Sequence, residues 1–328
     1  MNLESKKGIN VLSMFNGMNC GRIALERAGI LVNKYHSAET DKFANIITQK
    51  NYPDTIQLGD VCGVVAKDLP KVDLLLAGSP CQGFSFAGKQ LAFDDPRSAL
   101  FFEFIRLLRE LKPKYFLLEN VRMKKEYLDV ITEQVGGIEP ILINSKLVSA
   151  QNRQRYYWTN IPNVTQPEDR GLVLRDVLED YTDEVYLAGE KLQKNYKGGN
   201  QLNPDYKSQA NTIHDVNKKS GTICAGTHGY ANGYVTGAWR GRYNKDGSTT
   251  QKLELRRDDK TNSLTTVQKD NVVVDQEMNW RKLTPLECER LQTVDDNYTE
   301  GVSNTQRYKM LGNGWTVDVI SHILSNIK

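Results

Sequence analysis

Val72-Asp73-Leu74-Leu75-Leu76-Ala77-Gly78-Ser79-Pro80-Cys81-Gln82-Gly83 is the stretch on which the reading of this 328-residue chain turns. Its apolar run has strand length, and Gly, Ser and Pro then stop the strand and open a turn. Upstream, residues 10–15 read as a short buried strand, followed by a glycine-bearing loop and a helix near 22–28. A second strand over 35–39, a helix from Asp41 to about Lys50 and a third strand leading to Asp60 come next. Downstream, a helix from Arg97 to about Leu111 stops before Pro113, and residues 115–119 form a fifth strand. Alternation of this kind predicts an α/β, doubly wound parallel sheet with helices on both faces. Ligands bind such sheets outside the carboxyl ends of the strands, so the chemistry should follow each strand.

The first strand exits into Phe15-Asn16-Gly17-Met18-Asn19-Cys20-Gly21, where glycines let backbone approach a cofactor and the next helix offers free amides. Glu39 ends the second strand, where a carboxylate can accept from ribose hydroxyls. Asp60, in Gly59-Asp60-Val61, could accept from an adenine amine. Packing glycines, a solvated glutamate and a surface aspartate would explain each feature separately. At three successive strand ends they favour a nucleoside-bearing cofactor. Cys81 follows the fourth strand behind a proline that fixes its backbone, and is a candidate nucleophile rather than a buried small hydrophobe. Cys20, near a helix start, is a rival thiol. Glu119 ends the fifth strand, next to the fourth strand that leads to Cys81; desolvation there favours the protonated form of a carboxylate, making it a candidate proton donor as well as a candidate helix cap. In the strand-like Gln151-Asn152-Arg153-Gln154-Arg155, residues 151, 153 and 155 share one face at period two. Two guanidinium groups on one face call for an anion or a carboxylate opposite, unless the strand is an exposed edge. Leu311-Gly312-Asn313-Gly314-Trp315 reads as a turn plus a core Trp.

Hydrophobic residues at 39% and charged residues at 25% fit a globular protein with a real core. No apolar run approaches the roughly 20 residues of a membrane helix, and no secretory h-region follows Met1. Cysteines 20, 62, 81, 224 and 288 are odd in number and scattered, which suits neither a disulfide framework nor paired metal ligands. The net charge of +3 says little, but residues 190–260 hold 13 Lys and Arg against 7 Asp and Glu, as a nucleic-acid surface or a solvated face would. From about 160 to 279 Gly, Asn, Thr and Tyr replace helical periodicity, so a smaller, loop-rich domain is expected there. Thr284-Pro285-Leu286-Glu287 is a capping box opening a helix, and a last helix is expected over 317–327.

In this order and spacing the residues resemble the DNA cytosine-5 methyltransferase family. The marks are Phe15-x-Gly17, Glu39, Asp60-Val61, Pro80-Cys81-Gln82, Glu119-Asn120-Val121, Gln151-x-Arg153-x-Arg155, Leu283-Thr284-Pro285-x-Glu287 with Arg290-Leu291-Gln292, and Gly312-Asn313. Leu100-Phe101-Phe102-Glu103-Phe104 and Trp315 also look like the animal de novo branch, whereas Asn19 and Cys20 stand where many members have paired glycines.

The resemblance implies a Rossmann-like, S-adenosyl-L-methionine-dependent fold. Residues 1–160 plus 280–328 would be the catalytic and cofactor-binding domain, and 161–279 the target-recognition domain. It implies a DNA (cytosine-5-)-methyltransferase that flips a cytosine out of the duplex and forms a covalent adduct with its C6 through Cys81. Glu119 would protonate or hydrogen-bond N3, and Arg153 and Arg155 would hold the base carbonyl and a phosphate. Phe15, Asn16, Gly17, Met18, Asn19, Cys20, Glu39, Asp60, Val61, Pro80, Leu100, Asn313, Gly314 and Trp315 are assigned to the cofactor. Gln82, Ser85, Arg240, Arg242, Arg256 and Arg257 are assigned to DNA. Double-stranded DNA and a cognate restriction endonuclease are the expected partners, with no metal and no membrane, in the cytoplasm of a bacterial or phage-infected cell. Rival readings are a tRNA cytosine-5 methyltransferase, a catalytically silent binding module on the same fold, and a nicotinamide dehydrogenase. The last would have no use for Pro80-Cys81-Gln82.

Overall fold

The computed structural model describes residues 8–79, 99–179, 235–243, 249–255, 260–264, 272–274 and 280–328, with only the backbone along 235–243, 249–255, 272–274 and 280–282. The strands of the first half are β1 (Ile9–Met14), β2 (Val32–Ala38), β3 (Ile56–Gln57), β4 (Leu74–Gly78), β5 (Tyr115–Val121), β6 (Ile141–Asn144), β7 (Gln151–Asn152) and β8 (Gln154–Thr159). Seven of them form one sheet in the order β3-β2-β1-β4-β5-β8-β6.

From β3 to β5 every pairing is parallel, as the alternation predicts. The sheet departs from that expectation at β8, which runs antiparallel to both β5 and β6. The cause is the short connection 145–153 between β6 and β8, since a parallel crossover needs about a dozen residues or more.

Period-two alternation divides the central strands between two cores. Leu12, Leu75, Ala77, Leu118 and Trp158 face α3 (Ala99–Leu111) and α4 (Lys125–Gln134). Val11, Leu74, Leu76, Leu117 and Tyr157 face α1 (Cys20–Arg27), α2 (Lys42–Asn51) and the last helix (Val317–Leu324). Both faces are covered, so the parallel strands can be apolar throughout. The N-cap of α2 is Asp41, whose Oδ1 accepts from Phe43 N and Ala44 N at 2.9 and 3.3 Å. The expected capping box opens α5 (Pro285–Leu291): Thr284 Oγ1 accepts from Glu287 N and Glu287 Oε2 from Thr284 N. Next come α6 (Asn304–Asn313) and α7 (Val317–Leu324), the latter shorter than the sequence suggests.

The loop-rich stretch contributes β9 (Val235–Tyr243), β10 (Thr249–Leu255), β11 (Thr261–Asn262) and β12 (Val272–Val274), followed by β13 (Trp280–Lys282). A second sheet has the order β10-β9-β12-β13, and β11 pairs in parallel with β7. Packing does not change where composition does, at 160. Ile161, Leu174, Val177 and Leu264 join the same buried cluster as α7. Among the described residues no helix is long and apolar enough to cross a membrane.

Ile320 is fully buried in α7 and seats that helix on the sheet. Ile320→Ala should cost about 2–5 kcal/mol in urea unfolding. A loss below about 0.5 kcal/mol, the range of surface substitutions, would show that α7 is not part of the core.

Candidate active site

The C-terminal ends of β2, β1, β4 and β5 and the N-terminal end of the antiparallel β8 border one cavity of about 440 Å³, within the roughly 300–1,000 Å³ usual for small-molecule sites. The loop after β1 forms one wall. Its backbone takes left-handed conformations at Phe15 (φ 55°), Gly17 (φ 55°) and Asn19 (φ 73°). Asn is one of the few non-glycine residues to tolerate that region, which suits it to position 19.

Glu39, just past β2, is fixed by three backbone amides. Gly17 N donates to Oε2, and Thr40 N and Asp41 N donate to Oε1, each at 2.8 Å. A carboxylate has about four lone-pair sites, so one on Oε2 remains, among the described residues, to accept a sugar hydroxyl. At the next strand end Asp60 Oδ1 accepts from Cys62 N at 2.9 Å, which holds its carboxylate and Val61 on the cavity wall. Asn16 Oδ1 accepts from Tyr35 OH at 3.1 Å, while its buried Nδ2 has no partner among the described residues. Acceptors for hydroxyls and an amine, an uncompensated donor and an aromatic wall at Phe15 fit S-adenosylmethionine. Leu100, Cys20, Asn313, Gly314 and Trp315 complete that side. Met18 and Asn19 are fully buried and do not line the cavity. Met18 O accepts from Tyr298 OH at 2.7 Å, and Asn19 Nδ2 donates to Thr55 Oγ1 at 3.4 Å.

Glu119 lies opposite Gly78 of β4 and Tyr157 of β8, at 8% exposure. Arg155 Nε is 2.9 Å from Oε1, and Trp315 Nε1 donates to Oε2 at 3.2 Å. The carboxylate that two guanidinium groups called for is therefore Glu119, and it meets one of them. Arg153 also lines the cavity, but Nη1 donates to Leu264 O at 3.1 Å and Nη2 to Gly312 O and Gly314 O at 3.3 and 3.0 Å. Gln151 goes elsewhere, its Nε2 donating to Leu291 O at 3.1 Å. The single face expected for residues 151, 153 and 155 is thus corrected. The strand breaks at Arg153, whose N donates to Asn144 Oδ1 and whose O accepts from Ser145 N.

Two contributors escaped sequence reasoning. Asn120 Nδ2 donates to Ser79 Oγ at 3.0 Å, pinning the exit of β4, and its place inside Glu119-Asn120-Val121 was the available signal. Asp41, on the cavity wall, pairs with Lys309 Nζ of α6 at 2.6 Å. Burial raises the Asp41 pKa, but Lys309 and the Phe43 and Ala44 amides outweigh it and leave the pKa lowered. Pro80, Cys81, Gln82, Ser85, Arg256 and Arg257 lie outside the described residues. Arg240 and Arg242 occupy backbone positions of β9 opposite Lys252 and Thr250. Among the described residues no group of three His, Cys, Asp or Glu could hold a metal ion.

The family model for C-5 cytosine-specific DNA methylase matches residues 9–328. Type II methyltransferase M.NlaX of Neisseria lactamica is 31% identical over 97% of this chain and 96% of that protein. Orphan methyltransferase M.SPRI of Bacillus phage SPR is 28% identical, with 97% of each covered. Among solved structures, a Spodoptera frugiperda DNMT2 mutant aligns over 97% of this chain and 99% of its own at TM-score 0.66 and 19% identity, a likeness of fold.

Cys20 is buried, and burial pushes its thiol up to about 11, so it is not a thiolate near neutral pH. Cys288 is buried and its pKa is raised as well. A raised pKa leaves each thiol protonated below that value, so at pH 8 iodoacetamide should modify neither until the protein unfolds. Mass spectrometry of native and urea-treated samples checks this, and native labelling of Cys20 would restore it as a rival nucleophile.

Proposed function

Because the chain belongs to the C-5 cytosine-specific DNA methylase family, we propose that it methylates C5 of a cytosine lifted out of duplex DNA through a transient bond between Cys81 and C6. The observation that carries this reading is the single cavity that joins Glu39 and Asp60 to Glu119, Arg153 and Arg155. C5 of cytosine is a weak nucleophile. When the Cys81 thiolate adds to C6, the displaced electron pair makes C5 enamine-like. Glu119 protonates or hydrogen-bonds N3, which keeps negative charge from accumulating on the ring. Arg155, paired with Glu119, faces the base carbonyl, and Arg153 braces the wall around Gly312 and Gly314.

Glu39, Asp60 with Val61 and the loop 15–17 would hold S-adenosylmethionine, which would supply the methyl group as an electrophilic sulfonium. Loss of the C5 proton, to water in this reading, and departure of Cys81 as thiolate restore the aromatic ring as 5-methylcytosine. C6 is shielded within a duplex, so the base has to leave the stack. Arg240, Arg242, Arg256 and Arg257, in the arginine-rich stretch 239–257, are assigned to the DNA. The names of the Type II relatives suggest a cognate restriction endonuclease as a partner system, with the enzyme in the cytoplasm of a bacterium or a phage-infected cell.

Incubation with labelled S-adenosylmethionine and either duplex DNA or tRNA should label only the DNA, at C5 of cytosine. Label confined to tRNA would select the tRNA reading, and label in neither would favour a silent module. Cys81→Ala should abolish transfer, and Glu119→Gln should slow it by about 10²–10⁴-fold. Duplexes carrying 5-fluorocytosine should leave a denaturant-stable adduct on Cys81, because fluorine cannot depart as a proton does.

A further inference from the structure

Trp315 stands where three elements meet. A Cβ built on Gly78, at the end of β4, would lie 2.7 Å from its Nε1 and 3.1 Å from Cε2 and Cζ2. One built on Gly21 of α1 would lie 3.6 Å from Cζ3. The glycine at 78 therefore leaves a slot for the indole, while Gly21 only borders it at ordinary van der Waals distance. The backbone before it is braced as well, because Gly314 O accepts from Arg153 Nη2 at 3.0 Å and Gln292 Nε2 at 3.1 Å. From this mount Nε1 donates to Glu119 Oε2 at 3.2 Å, while Arg155 Nε meets Oε1 at 2.9 Å.

Both partners of Glu119 are donors only. An indole N–H and a guanidinium cannot accept a carboxylic proton. Each occupies one oxygen, so a proton carried by Glu119 has to turn away from both of them. Glu119, Arg155 and Trp315 all line the same cavity, and the base is the acceptor that would enter it. The geometry points to Trp315 as a positioning residue: its indole N–H holds Glu119 Oε2 so that the carboxyl proton is presented to the base rather than to the protein. This assignment rests on the methyltransferase reading above. It goes beyond a cofactor-wall role for Trp315, because a ring lacking the N–H would serve as a wall equally well.

Site-specific replacement of Trp315 by 3-benzothienylalanine keeps the bicyclic shape and removes the donor. Trp315→Phe provides a second variant. By calorimetry, S-adenosylmethionine should bind the replaced protein within about threefold of the unaltered one, while single-turnover methylation of duplex DNA falls by about tenfold, the loss of one hydrogen bond to an ionisable group. In a Glu119→Gln background the replacement should cause no further loss. An unchanged rate, a defect confined to cofactor affinity, or losses that multiply across the two sites would each overturn the assignment. Failure of the unaltered protein to methylate duplex DNA would instead overturn the reading on which it rests.

Discussion

The carboxylate of Glu119 is carried almost out of solvent by a strand that reads Tyr-Phe-Leu-Leu before it. A lone charge so buried would cost several kcal/mol, and removal of one partner from such a pair typically costs about 3–5 kcal/mol. Much of the surrounding architecture follows from supplying it with donors. Arg155 sits two positions from Tyr157, the residue directly opposite Glu119 on β8. That diagonal spacing across an antiparallel pair is within reach of a long side chain. The antiparallel turn of β8 in an otherwise parallel region is thus what brings a guanidinium to the end of β5. Trp315 comes from nearly 200 residues further along, and its arrival requires the chain to return.

The return is built around the end of α6. The last carbonyls of a helix lack partners within it and carry the negative end of its dipole. Here Gly312 O accepts from Arg153, Leu311 O from Gln292 Nε2, and Gly314 O from both. A buried cation at that terminus is electrostatically favourable, so Arg153 stabilises α6 while fixing the segment that leads to Trp315. α7 then packs against the same face of the sheet as α1. The motif residues at 312–315 and at 15–17 become neighbours only through this docking.

The alternation of strands and helices up to Glu119 was legible because each apolar run ends at a turn residue or a cap, and those signals are local. Strand-end positions of Glu39, Asp60 and Glu119 followed from the same logic, and one cavity joins them. What the sequence left hidden depends on contacts between distant segments. Period two put Gln151, Arg153 and Arg155 on one face, because spacing carries no trace of Leu264 O or Gly314 O drawing Arg153 inward. Composition put a boundary at 160, yet Leu174 and Val177 are buried with α7, since loop texture reports turn content and not packing. Trp315 read as a core residue or a cofactor wall, and its bond to Glu119 has no counterpart in either local pattern.

The loop after β1 shows how the cofactor side is held ready. Left-handed backbone costs a non-glycine residue about 1–2 kcal/mol, and Phe15 and Asn19 both adopt it. Such strain persists only where surrounding structure over-determines it. Phe15 N is tied to Ala38 O, Gly17 N to Glu39 Oε2, Gly17 O to Thr48 Oγ1 and Met18 O to Tyr298 OH. These ties come from β2, α2 and the segment before α6, so three separate parts of the chain share in bending one loop. The conformational cost of shaping that wall is then met during folding rather than at binding, and α6 with its flanks holds both Trp315 at the acid and Met18 beneath the loop.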